Sequence, residues 1–188
     1  ESQLDWTRYD SDPNIWRTRY VGEALQNAFN LSINGFDHVI GNSNSAPAWL
    51  KTNGQHNGGG TLISGGESEF SEFLVAFLNG MESRYGIEVT AISPTNEPDY
   101  EVSYESMNTT PSELSSILIN LNSRLANSGL DHIKIVSPEC FRVESQNSGT
   151  SATNYINAMF QNSAVEEAVD IVGTHTYADP NHNANWNA

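Results

Sequence analysis

The chain has 188 residues, with 23 acidic against 8 basic side chains and a formal charge of -15. That balance disfavours nucleic acid and anionic membranes as partners, and makes a heavily sulfated or polyuronic substrate less favourable unless a local basic patch offsets the field. The length suits one domain with a sizeable core. Cys140 stands alone, so no intrachain disulfide can form, and it reads as a buried small hydrophobe. No apolar run approaches membrane-spanning length, and the polar opening from Glu1 reads as that of a processed or trimmed chain without a signal peptide.

Residues 1–13 read as a loop ending at Asp12-Pro13. From Asn14 to Phe29 apolar residues recur at helical spacing, and Phe36–Ile40 reads as a short strand. A loop through Ala46-Pro47-Ala48-Trp49 then runs into the glycines Gly58-Gly59-Gly60. That glycine run lacks the Gly-Lys-Ser/Thr ending of a phosphate cradle, so it is expected to be a flexible rim loop. Glu69–Tyr85 is the clearest helix, with the stripe Phe70, Phe73, Leu74, Phe77, Leu78 and Met81, and Gly86 stands at its C-terminal cap.

A strand over Ile87–Ile92 follows, closed by Pro94. The next helix opens on a capping box, Thr110 to Glu113, with Pro111 at its first position. Its stripe is Leu114, Ile117, Leu118, Leu121 and Leu125, and it stops at Asn127-Ser128-Gly129. Ile133–Ser137 reads as a strand closed by Pro138-Glu139, then a short helix around Tyr155–Phe160, then a strand over Val169–Gly173 leading into His175 and Tyr177.

Strand and amphipathic helix thus alternate in units of roughly forty residues, the pattern of a parallel α/β sheet. Polar candidates follow every strand: Asn44 and Trp49, then Asn96 and Glu97, then Glu139, then His175 and Tyr177. Chemistry mounted on successive strand ends favours an eightfold barrel over an open dinucleotide-binding sheet, whose glycine fingerprint is missing. A complete barrel needs eight strands and about 250 residues, whereas four strands are legible here. The expectation is a partial barrel over 1–188 that belongs to a larger enzyme, because an isolated arc would leave two sheet edges uncovered.

Glu97 is the centre of the functional reading. Pro94 and Pro98 place it just beyond a strand's carboxyl end, beside the amide of Asn96. A carboxyl there suits general acid chemistry on a glycosidic bond, while a surface loop carboxylate beside a turn asparagine is the plainer alternative. The five histidines, His38, His56, His132, His175 and His182, show no ligand spacing, so neither a catalytic metal nor a cofactor is expected.

Four ordered segments resemble glycoside hydrolase family 30 of clan A. They are Asn42 to Asn53 with the glycine run, Ala91 to Asp99, Ile135 to Glu139, and Asp170 to Tyr177. The resemblance implies a (β/α)8 TIM-barrel glycosidase of which this chain supplies roughly half, four βα units corresponding to the third to sixth strands. It implies retaining hydrolysis of a β-linked glycan, with Glu97 as general acid/base and Asn96 as its sugar-binding neighbour. His175 and Tyr177 fall where the family lines the sugar site, and Trp49, Asn44, Tyr104 and Glu139 are further substrate-binding candidates, Glu139 in a supporting role. The family's nucleophile follows the seventh strand, and no residue here matches it.

Asn96 to Ser106 look most like the xylanase branch acting on glucuronic-acid-substituted β-1,4-xylan, whereas Ser43-Asn44-Ser45 are more like the β-1,6-galactanase branch. A non-catalytic carbohydrate-binding fragment is the rival from another class, and an open-sheet oxidoreductase a weaker one. The partners implied are a polysaccharide or oligosaccharide and the rest of the barrel itself. A secreted protein is expected, and the sequons at Asn30 and Asn108 are compatible with that.

Overall fold

The computed structural model describes residues 16–144 and 151–176. Tyr177, the opening loop and the expected helix start at Asn14 lie outside them. Helix α1 (Trp16–Leu31) leads to strand β1 (Ile40–Asn42) and a 3-10 turn over Ala48–Leu50. Helix α2 (Glu67–Tyr85), strand β2 (Ala91–Ser93), helix α3 (Pro111–Asn127) and strand β3 (Lys134–Cys140) follow. Two short helices, α4 (Ala152–Met159) and α5 (Ser163–Ala168), then precede strand β4 (Ile171–Thr174).

All three strand pairings are parallel, and the order across the sheet is the order in the chain, β1-β2-β3-β4. A doubly wound sheet reverses direction at a switch point, whereas a barrel wall adds each strand beside the last. The order observed is that of a barrel wall.

The helices form where their stripes require. In α3 the apolar residues Leu114, Ile117, Leu118, Leu121 and Leu125 are all at most 2 % exposed. Its start is the capping box expected: Thr110 Oγ1 accepts from the Glu113 N–H at 3.2 Å, and Glu113 Oε2 accepts from the Thr110 N–H at 2.7 Å. In α2 the buried side is Phe70, Leu74, Val75, Leu78 and Met81, with Phe73 and Phe77 packed at its margin. Gly86 ends α2 at φ 66°, its N–H closing on the carbonyls of Met81 and Glu82.

The strands depart from expectation at their ends. β1 begins at Ile40, where it was expected to stop, because Ile40 pairs with Ala91 and Asn42 with Ser93. Hydrophobicity pointed to Phe36–Ile40, but pairing with β2 sets the register. β3 likewise runs on through Pro138 to Cys140, with Pro138 opposite Gly173 and a register shift before Cys140. A proline donates nothing to a ladder, so the strand continues there only with an irregularity. Helix α5 had no counterpart in the sequence pattern; six residues are too few to show a period.

The glycine run is held by hydrogen bonds to its neighbours. Asn53 Nδ2 donates to the carbonyls of Asn57, Gly58 and Gly59, and the Gly59 N–H donates to Ser106 Oγ at 2.9 Å. Lys51, only 3 % exposed, donates to the Ser106 carbonyl at 2.6 Å and to Ser45 Oγ at 3.0 Å. Burial pulls its ammonium below the usual lysine range. The connections after β1 and β2 are thereby tied together around Ser106.

Candidate active site

Five polar side chains meet at the carboxyl ends of the four strands. Glu97, 5 % exposed, lies four residues past the end of β2, and Glu139 lies near the end of β3. Both adopt left-handed backbone, φ 49° for Glu97 and 58° for Glu139, which non-glycine residues seldom do. The Glu97 N–H donates to the Glu139 carbonyl at 2.9 Å, so the two bends are braced against each other.

His175 stands just past β4 and joins the two carboxyl groups. Its Nδ1 is 2.8 Å from Glu97 Oε1 and its Nε2 is 3.2 Å from Glu139 Oε2. The ring is held from its backbone as well, the His175 N–H donating to the Cys140 carbonyl at 2.9 Å. Asn42, the last residue of β1, donates Nδ2 to Glu139 Oε2 at 3.2 Å and to Asn96 Oδ1 at 3.4 Å. All four strands therefore contribute to one cluster.

A shell of weaker polar groups surrounds it. Asp99 accepts from the Phe141 N–H at 2.8 Å, linking the loops after β2 and β3. Burial raises the Asp99 carboxyl above its usual range, that backbone bond opposes the rise, and the nearby Glu97 carboxyl adds to it. Tyr100 stacks on Phe141 with ring centroids 4.1 Å apart, and the Arg142 guanidinium lies 5.2 Å from the Phe141 ring centre. Cys140 is fully buried, and burial pushes its thiol up.

Of the residues singled out from the sequence, Glu97, Asn96, Glu139 and His175 come together. Trp49, 62 % exposed, and Asn44 instead line a cleft of about 610 Å³ along β1, beside Val39, Ile40, Phe73 and Phe77. Asn42 borders both the cleft and the carboxyl cluster, whereas Glu97 does not border the cleft. Tyr104 is exposed on the loop whose carbonyl accepts from the Gly58 N–H. Sequence reasoning missed Asn42 because it ended the strand two residues early. It also missed Gly173, whose need arises from Glu139 and Val136, side chains distant in sequence.

Among the described residues no group of three or more His, Cys, Asp or Glu side chains could hold a metal ion, and no helix is long and apolar enough to cross a membrane.

The family model for O-glycosyl hydrolase family 30 matches residues 13–179. This chain belongs to glycoside hydrolase family 30. Among solved structures it is similar to the family 30 subfamily 8 xylanase Xyn30A from Clostridium acetobutylicum, with TM-score 0.70, 23% identity, and 96% of this chain covered against 42% of that one. It is also similar to the catalytic domain of family 30 xylanase C from Talaromyces cellulolyticus, with TM-score 0.64, 20% identity, and coverage of 88% and 36%. An endo-β1,6-glucanase matches with TM-score 0.67, 18% identity, and coverage of 75% and 32%. No curated protein sequence matches.

At these identities the structural likeness speaks for the fold, and the fold is a four-stranded arc of a (β/α)8 barrel. The family 30 chain spans less than half the length of each of these three relatives.

Proposed function

We propose that this chain forms part of a retaining endo-β-glycanase in which Glu97 is the general acid/base. The observation that carries the reading is the placement of Glu97 just beyond β2, nearly buried, with one carboxyl oxygen fixed by His175. Holding one oxygen leaves the other to carry the proton for the leaving oxygen. Asn96, beside it, would hydrogen-bond a sugar hydroxyl, and His175 and Tyr177 would border the same sugar.

Retaining hydrolysis requires a second carboxylate about 5 Å from the acid, as nucleophile. Glu139 is poorly suited, because Asn42 and His175 engage its Oε2 and its Oε1 is packed against Gly173. The nucleophile would come from further strands of the same barrel. The exposure of Ile40 (61 %), Ile171 (42 %) and Val172 (54 %) on the two outer strands supports such neighbours. Trp49 and Asn44, which line the cleft, and Tyr104, exposed on the loop after β2, would be further substrate contacts.

For the glycan, β-1,4-xylan of the glucuronoxylan type is the first reading, supported by the Asn96–Ser106 pattern and by the two xylanases among the similar structures. A β-1,6-linked glycan is the second, favoured by Asn44 and by the likeness to an endo-β1,6-glucanase. Both are polymers met outside the cell, and secretion is proposed on that ground. Incubating the full-length enzyme with xylan, β-1,6-galactan and β-1,6-glucan tests all of this. Oligosaccharides of retained configuration from xylan support the first reading, from a β-1,6-glycan the second. Binding without any product would leave a non-catalytic carbohydrate-binding protein.

A further inference from the structure

Glycine occurs at position 173 for a reason of space. Gly173 lies within β4, opposite Pro138, and makes no turn there. A Cβ at that position would lie 2.8 Å from Val136 Cγ1, 3.0 Å from Glu139 Cδ, and closer still to Glu139 Oε1. The Glu139 carboxyl group therefore fills the volume that a side chain at 173 would take. A glycine inside a strand marks such a close approach.

The rest of Glu139 is arranged to the same end. Its left-handed backbone falls where the pairing of β3 with β4 shifts register, between Pro138 and Cys140. Oε1 sits against Gly173, while Oε2 accepts from Asn42 and faces His175 Nε2. Its side chain is 16% exposed and that of His175 22%, so both are largely enclosed.

Proton counting gives the consequence. A short contact between an imidazole nitrogen and a carboxyl oxygen needs one proton between them, and His175 makes two such contacts. With Glu139 anchoring Nε2 the ring plane is fixed, and when the ring carries both protons Nδ1–H donates to Glu97 Oε1. The transferable proton of Glu97 is then confined to Oε2.

We infer that Glu139, seated in the space left by Gly173, is the positioning residue that orients His175 and, through it, the Glu97 carboxyl group. This rests on the glycanase reading for its kinetic consequence, though not for its geometry.

The test uses Gly173→Ala, Glu139→Ala and Glu139→Gln in the full-length enzyme, with kcat/KM measured on an unactivated β-glycan and on a dinitrophenyl glycoside. The dinitrophenolate leaves without protonation, so a misplaced acid spares that substrate. For Gly173→Ala and Glu139→Ala, kcat/KM on the glycan should fall by about tenfold or more beyond any fall on the dinitrophenyl glycoside. Glu139→Gln, which keeps the shape and a hydrogen bond to the ring, should recover most of that gap. The same variants are read by ¹⁵N NMR of the histidine rings: the His175 Nε2 signal should shift on Glu139→Ala and Gly173→Ala.

Equal losses on both substrates, or an unmoved His175 ring signal in Glu139→Ala, would overturn the inference. If Gly173→Ala does not fold, the two Glu139 variants decide. If the full-length protein hydrolyses no glycan, the ring signals still decide the geometry, and only the glycanase reading has failed.

Discussion

The two inner strands and the two outer strands of this sheet are built to different standards. β2 is buried at every residue and β3 at most of its seven, whereas β1 and β4 show exposed residues at Ile40, Asn42, Ile171 and Val172. Among the described residues β1 and β4 each pair on one side only. Yet the cluster draws on both kinds of strand: its carboxyl groups ride on β2 and β3, and the groups that orient them, Asn42 and His175, ride on β1 and β4. Glu97 is thus anchored in finished structure, while its partners sit on strands with room for further neighbours.

The largest expected effect tests what the inner strand carries. In the full-length enzyme Glu97→Gln should lower kcat/KM on an unactivated β-glycan by about 10²- to 10⁴-fold, read by reducing-sugar release. An unchanged rate would remove Glu97 from the chemistry.

The contrast in burial gives the next. Leu118, fully buried in α3, should cost about 2–5 kcal/mol on truncation to Ala, measured by urea unfolding. Ile171→Ala on the outer strand should cost well under about 1 kcal/mol in the 188-residue chain. In the full-length protein the Ile171→Ala cost should rise toward the buried range, by about 2 kcal/mol. The same small cost in both would mean that nothing covers β4.

Two smaller effects follow. Thr110→Ala removes the capping side chain of α3 and should cost about 1 kcal/mol by the same measurement. Asp99→Asn should show its effect as a change with pH. The folded carboxyl is raised above its unfolded value, so its contribution to stability is present below about pH 4 and is lost as pH rises through the folded value. Asparagine can still accept from the Phe141 N–H and does not ionise. Its Tm relative to the parent should therefore improve from pH 3 to pH 7; a difference independent of pH would contradict the assigned shift.

Helices and strand order were legible in the sequence because their signals are local and repeated. The α3 stripe and its Thr110–Glu113 box needed no partner to be seen, and Pro94 and Pro98 marked the loop of Glu97. Strand ends were not legible, since pairing with Ala91 rather than hydrophobicity decides that Ile40 begins β1. The residues around Glu97 were legible as candidates, one strand end at a time. Their joining was not, because the bond from Asn42 to Glu139 spans 97 residues and that from His175 to Glu97 spans 78. Gly173 gave no signal at all, for an empty space has no residue pattern.

The most direct measurement replaces Glu97 by alanine in the full-length enzyme and supplies azide with a dinitrophenyl glycoside. Azide should enter the space vacated by the acid/base, restore turnover, and yield a β-glycosyl azide of retained configuration. Hydrolysis that ignores azide, or an azide product of inverted configuration, would contradict Glu97 as the acid/base of a retaining enzyme.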